Sequence, residues 1–251
     1  MLLVVVALVA CSGGGSHTVS TPVPTSTPTP DPDRSLSAVQ ILIKALAQTS
    51  PTSMHESVDS VVTAKGSTIE TTQDIQQDQD VIYIESSRLG TLTRVVERVD
   101  GSCYQSGTEQ TWHPVPGLKY VRAYNHGGIL GQMLGSPYTG LERGEDKATD
   151  DGRPVFVVTA RIEGANLNDL SDDLQSSLGS SPLAPGATVD ASEVEVDVEK
   201  ASLHLVAMKM TIIETLQGSH IDSTMTITYD RFDQPSNLPP DLPQSCSGSS
   251  T

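Results

Sequence analysis

The chain has 251 residues, with 15 Lys and Arg against 31 Asp and Glu, which gives a formal charge of −16. Nucleic-acid binding gains most of its affinity from Lys and Arg neutralising phosphates, so an acidic chain without a basic cluster is excluded from that class, and equally from an electrostatic anchor on anionic lipid. Apolar residues make up 36% with only two Phe and one Trp, yet Val, Ile, Leu and Thr are frequent enough to build sheets.

The chain opens MLLVVVALVAC, an apolar run from Leu2 to Ala10 closed by small residues and a cysteine. Nine apolar residues are too few to cross a bilayer, which takes about 20, but they suit the apolar core of a signal peptide over residues 1–10. No Lys or Arg precedes the run. Leu8-Val9-Ala10-Cys11 resembles the bacterial lipobox, which implies a mature chain anchored through an acylated (palmitate-type) Cys11. The alternative is a buried apolar N-terminus with an ordinary cysteine. Residues 11–34 continue as a disordered linker, SGGGSHTVSTPVPTSTPTPDPDR after the cysteine. Alternating prolines fix φ and remove donors, so the Pro-rich part is expected to be extended and to hold a domain off the membrane; residues 20 to 32 would span about 40 Å.

A globular domain is expected over 35–243, followed by a disordered tail over 244–251. Ser37-Ala38-Val39-Gln40 has the capping-box pattern, and Leu36, Val39, Leu42, Ile43 and Leu46 fall at helical spacing, ending before Pro51. The period then changes to two. Candidate strands are Met54 to Ala64, Thr68 to Gln76, Val81 to Ser86, Thr91 to Val99 and Ser102 to Gln105, with short turns at Gly66, Gly90 and Gly101, so neighbours are expected to be antiparallel. A further short strand is expected to contain Trp112. YNHGGILGQML, from Tyr124 to Leu134, reads as a short helix weakened by its glycines.

The second half repeats the theme with strands at Leu141 to Ala148 and Pro154 to Glu163. A helix follows, capped by Asn166, with Leu167, Leu170, Leu174 and Leu178 along one stripe. Three strands close the domain: Ser192 to Glu199, Leu203 to Glu214 and Ile221 to Phe232. Val194, Val196 and Val198 alternate with Glu193, Glu195, Asp197 and Glu199, which predicts one buried and one acidic face. The pattern is α+β: about ten strands in one large antiparallel sheet, with two or three helices on one face.

Chemistry-bearing motifs are scarce. There is no G-x-S-x-G, no phosphate-cradling glycine loop and no H-E-x-x-H or C-x-x-C, so neither an enzyme nor a metal or cofactor site is expected. His113 and His126 have no serine or cysteine nucleophile in local context. With Cys11 acylated, Cys103 and Cys246 remain as a candidate disulfide pair in an exported protein.

The order of elements, with Gly140-Leu141-Glu142 through Gly152-Arg153-Pro154-Val155 and Tyr229-Asp230-Arg231-Phe232-Asp233 before Pro239 and Pro240, resembles the LppX/LprG group of bacterial lipoproteins, related in fold to LolA. That resemblance implies a curved half-barrel sheet whose concave face is covered by helices and encloses a cavity for acyl chains. It implies a membrane-anchored extracytoplasmic lipoprotein of the cell envelope that binds lipid, involved in lipid or lipoprotein transport, with a transport or signalling protein as a further partner. The alternative is a non-enzymatic sensor or protein-interaction module on the same scaffold. Cavity candidates, alternating along single strands, are Phe156, Val158 and Ile162, then Met208, Met210 and Ile212, then Met225, Ile227 and Tyr229. Leu130, Met133, Leu134, Leu170 and Leu174 would supply a lid. At every one of these positions plain core packing is the competing reading.

Overall fold

Residues 35–115, 130–131, 133–135, 138–162 and 188–246 are described by the computed structural model. Helix α1 (Ala38–Leu46) starts at the expected capping box: the Ser37 hydroxyl accepts from the Gln40 backbone N–H at 3.3 Å, and the Gln40 side chain accepts from the Ser37 N–H at 2.8 Å. The buried stripe differs from the one expected. Ala38, Ile41, Leu42 and Ala45 face the core, whereas Val39 and Ile43 are 45% and 55% exposed. Two alanines on the inner stripe let the helix backbone approach the sheet closely, which turns the bulkier Val39 and Ile43 outward.

Twelve strands follow: β1 (Ser53–Ala64), β2 (Ser67–Asp78), β3 (Val81–Arg88), β4 (Thr91–Arg98), β5 (Gly101–Ser106), β6 (His113–Val115), β7 (Tyr138–Arg143), β8 (Lys147–Ala148), β9 (Pro154–Ile162), β10 (Thr188–Glu199), β11 (Leu205–Leu216) and β12 (Ser219–Asp230). All belong to one open antiparallel sheet in the order β6-β5-β4-β3-β2-β1-β12-β11-β10-β9-β7, with β8 also pairing to β9. Two-residue turns join the long hairpins at Lys65-Gly66, Leu89-Gly90 and Gln217-Gly218, where both residues have positive φ between 49° and 77°. This is the turn whose twist matches that of the flanking strands, and glycine at the second position makes it accessible. The first and last strands adjoin at the centre, Val58 opposite Ile227.

Three expectations change. The single strand over Leu141 to Ala148 is split into β7 and β8, because Gly144 turns to donate to the Val157 carbonyl at 2.9 Å and Arg143 reaches across to Asp146 at 2.8 Å. Trp112 lies just before β6 rather than in it. Among the described residues α1 is the one full helix, fewer than the two or three expected; Leu130 and Met133 lie in a helical turn, and the leucine stripe from 167 to 178 lies outside the described residues. No described helix is long and apolar enough to cross a membrane.

Strand alternation gives the sheet two unlike faces. On the inner face α1, Leu130 and Met133 join Met54, Val58, Phe156, Val158, Val194, Val196, Val198, Met208, Met210, Met225, Ile227 and Tyr229 in one core. Each fully buried large aliphatic there contributes about 1.5–3 kcal/mol. The outer face is polar and tied by charge. His55 is held between Asp230 at 2.7 Å and Asp74 at 2.8 Å, one carboxylate on each ring nitrogen. Burial raises the pKa of Asp74, but hydrogen bonds from Gln76 and His55 outweigh it and hold the carboxyl below its usual range. The acidic face predicted for β10 is not simply solvated: Lys147 pairs with Glu195 at 2.7 Å and Asp197 at 3.0 Å, and Arg153 lies 3.7 Å from Glu199.

After β12 the chain folds back over the outer face. The Asp233 carboxylate accepts from the Thr52 N–H at 2.7 Å, Ser236 donates to Asp78 at 2.6 Å, and Leu238 and Leu242 pack on Tyr83, Val96 and Trp112. Cys246 reaches β5 and is joined to Cys103, so residues 244–246, expected in the tail, are held here. Residues 247–251 and Cys11 lie outside the described residues.

Candidate functional site

The 12-residue strands run about 40 Å, whereas the nine-residue α1 is about 14 Å long, so α1 covers only part of the inner face. Arg143 fixes it near the end where β9 begins: one guanidinium nitrogen donates to the Leu36 carbonyl at 2.8 Å, and the group lies 5.3 Å over the Phe156 ring. Toward the other end of the strands the same face holds a cavity of about 360 Å³.

Five neighbouring strands line this cavity. They contribute Val58, Ser60 and Val62 from β1, Ile69, Thr71 and Gln73 from β2, Ser86 and Arg88 from β3, Met210 and Ile212 from β11, and Ser223, Thr224 and Met225 from β12. Flat, five strands would cover about 19 Å at the usual spacing, so a single cavity bounded by all of them requires the sheet to curl around it. The walls differ from strand to strand. β11 contributes only apolar side chains, β1, β2 and β12 mix apolar side chains with hydroxyls and the Gln73 amide, and β3 contributes a hydroxyl and the one guanidinium.

The registers order these groups into rows. In one row Arg88 stands opposite Thr71, Thr71 opposite Ser60, Ser60 opposite Met225, and Met225 opposite Met210. A second row runs from Ser86 through Gln73 and Val58 to Ile227 and Met208. In both, polarity falls from β3 toward β11. Arg88 is exposed at the end of β3 and enters no ion pair with any described residue, and no carboxylate lines the cavity.

Next to the cavity, one same-face step from Val58, stands Glu56, opposite Ile75 and Tyr229. It is 1% exposed and its Oε2 finds no hydrogen-bond partner. Burial alone lifts its pKa from 4.5 to about 8, so the side chain is neutral at pH 7 and adds no negative charge to this part of the inner face.

Of the cavity candidates read from the sequence, Met210, Ile212 and Met225 line it. Phe156, Val158, Met208, Ile227, Tyr229, Leu130 and Met133 are instead packed in the core, with Leu134 partly buried against it, because α1 and the helical turn fill the space over that half of the sheet. Ile162 ends β9 opposite Ser192; Leu170 and Leu174 lie outside the described residues. The β1 to β3 wall and Glu56 were not anticipated. The signal was present: Ser60, Thr71, Gln73 and Ser86 alternate in phase with Val58 and Ile75, as inward residues of a wetted surface do.

Other clusters are poorer sites. Both ring nitrogens of His55 are engaged by carboxylates, which leaves none to take a proton from a nucleophile. His113 lies beside Glu109 at 3.3 Å, and His126 is outside the described residues. Among the described residues no three His, Cys, Asp or Glu side chains converge as metal ligands. A smaller outer-face groove of about 230 Å³ lies between Tyr83, Glu85, Arg94, Trp112 and the returning tail.

No family model and no curated protein matches the chain. Solved structures do. LprF from Mycobacterium bovis is 15% identical, with 82% of this chain and 97% of that one covered and a TM-score of 0.37. A LolA superfamily protein from Nitrosomonas europaea is 10% identical over 81% and 96% of the two chains, with a TM-score of 0.30. A DUF1329 family protein from Desulfovibrio piger is 9% identical over 80% and 93%, with a TM-score of 0.27.

Proposed function

We propose that the chain binds a hydrophobic ligand, an acyl chain of lipid, in the cavity between β11, β12, β1, β2 and β3, with no chemical step. The observation that carries this reading is the cavity itself: an open recess of about 360 Å³ on the inner face of a sheet whose other half is closed by α1. Its size is at the lower end of the range for small-molecule sites. Val58, Val62, Ile69, Met210, Ile212 and Met225 offer apolar wall, and an acyl chain is retained there by displaced water at about 25 cal/mol per Å². The two methionines adapt to chains of differing shape. On this reading the signal segment, an acylated Cys11 and the Pro-rich linker place the sheet outside the cytoplasm, tethered to the envelope membrane, where it moves or presents lipid.

Native mass spectrometry with organic extraction tests the reading. The full chain is expected to retain an acyl-chain lipid, or to take one up from envelope extract, and a Ser60→Trp variant, whose indole occupies the cavity, is expected to lose it while melting close to the parent. A bare parent protein after incubation with envelope lipid overturns the reading and favours a protein-interaction module.

A further inference from the structure

Two of the rows that cross the cavity are graded in polarity, whereas the third, Ile69, Val62, Ser223 and Ile212, is apolar but for one hydroxyl. Along the row Arg88, Thr71, Ser60, Met225, Met210, the chemistry passes from a cation through two hydroxyls to two thioethers within four strand spacings, about 19 Å. The arginine is the single charged residue of the lining. Among the described residues Arg94, Arg143, Arg153 and Arg231 are paired with carboxylates, whereas Arg88, Arg98 and Arg161 enter no ion pair, and of these three Arg88 is the one that lines the cavity. An exposed guanidinium with no ion pair among the described residues, beside an apolar recess, has donors available to an anion.

Resting on the lipid-binding reading above, we propose that the ligand is a single-chain amphiphile with an anionic headgroup, lying across the strands with its head on Arg88 and its tail on Met225 and Met210. A planar guanidinium meets a carboxylate or a phosphate through two parallel N–H···O bonds, and Thr71 and Ser60 supply hydroxyls to the head-proximal oxygens. The volume favours one chain over two. The net charge of −16 repels anions from the rest of the surface, so the guanidinium sets where the head enters.

The test is a titration of the full chain with three probes of equal chain length: palmitate, its lysophosphatidate counterpart, and the neutral monoacylglycerol, each against the parent, Arg88→Gln and Arg88→Lys, with circular dichroism to check the fold. The anionic probes are expected to bind the parent roughly five- to tenfold more tightly than the neutral one, with the advantage shrinking in high salt. Arg88→Gln is expected to bring the ratio of anionic to neutral affinity to about one, and Arg88→Lys to keep part of the preference. Preference for palmitate alone or lysophosphatidate alone supports the proposal and identifies the headgroup. Equal affinity for all three in the parent, or an unchanged preference in Arg88→Gln, overturns the headgroup proposal and leaves the hydrophobic-ligand reading intact. No binding of any probe overturns both.

Discussion

Glu56→Gln is expected to flatten the pH dependence of stability. The parent carboxyl is buried between Ile75 and Tyr229 on the inner face, has no partner for Oε2, and holds its proton up to about pH 8, against 4.5 for an exposed glutamate. Above about pH 4.5 the unfolded chain releases this proton while the folded chain keeps it, so the folded state binds more protons and stability falls as pH rises. The loss is complete once pH passes the folded value near 8. Each unit of pH within that window costs about 1.4 kcal/mol, so from about pH 5 to about pH 7.5 the parent loses about 3 kcal/mol through this one group. A glutamine of the same shape does not titrate. Any constant cost of burying its amide shifts the whole curve without altering its slope, and all other titrating groups cancel in the comparison. Urea unfolding of both proteins across that range, with the disulfide intact, measures the difference directly. Parallel stability curves for parent and variant would refute the argument that Glu56 is neutral when folded.

Two further outcomes follow from the fold. The Cys103–Cys246 bond closes a loop with a sequence separation of 143, so the double serine variant is expected to lose about 2–5 kcal/mol and to expose the segment from Leu238 to Cys246 to proteases; an unchanged unfolding midpoint would contradict this. Arg143→Ala removes the donor to the Leu36 carbonyl and the paired contact with Asp146, and is expected to cost about 2 kcal/mol, with hydrogen exchange rising first in α1; uniform exchange would mean that Arg143 does not hold the helix.

Local chemistry made much of the sheet legible. Val194, Val196 and Val198 are buried as their alternation demands, and Lys65-Gly66, Leu89-Gly90 and Gln217-Gly218 mark their hairpins in the sequence. Pairing of β1 with β12 was not legible, because nothing local joins His55 to Asp230 before the sheet assembles. That pairing decides where the cavity lies. Read strand by strand, the most apolar stripes, such as Phe156 to Ile162, look like the lining; in the folded chain the most apolar stripes attract α1 and close. The recess persists where Ser60, Thr71, Gln73 and Ser86 interrupt the apolar surface, since hydroxyl and amide groups lose their water at a cost when a helix covers them. Polar residues in inward phase, more than apolar ones, marked the site. Glu56 was overlooked for a related reason: within SMHESVD it reads as one more solvated carboxylate, and only the pairing on both sides buries it.

The claim that an acyl chain occupies the inner face is tested most directly by a photoactivatable fatty acid carrying a diazirine along its chain, bound to the full protein, irradiated and mapped by peptide mass spectrometry. Adducts are predicted on the β1, β11 and β12 peptides that carry Val58, Met210, Ile212 and Met225. Labelling confined to the outer-face groove of Tyr83, Trp112 and Leu242, or spread over the chain without preference, would contradict the account.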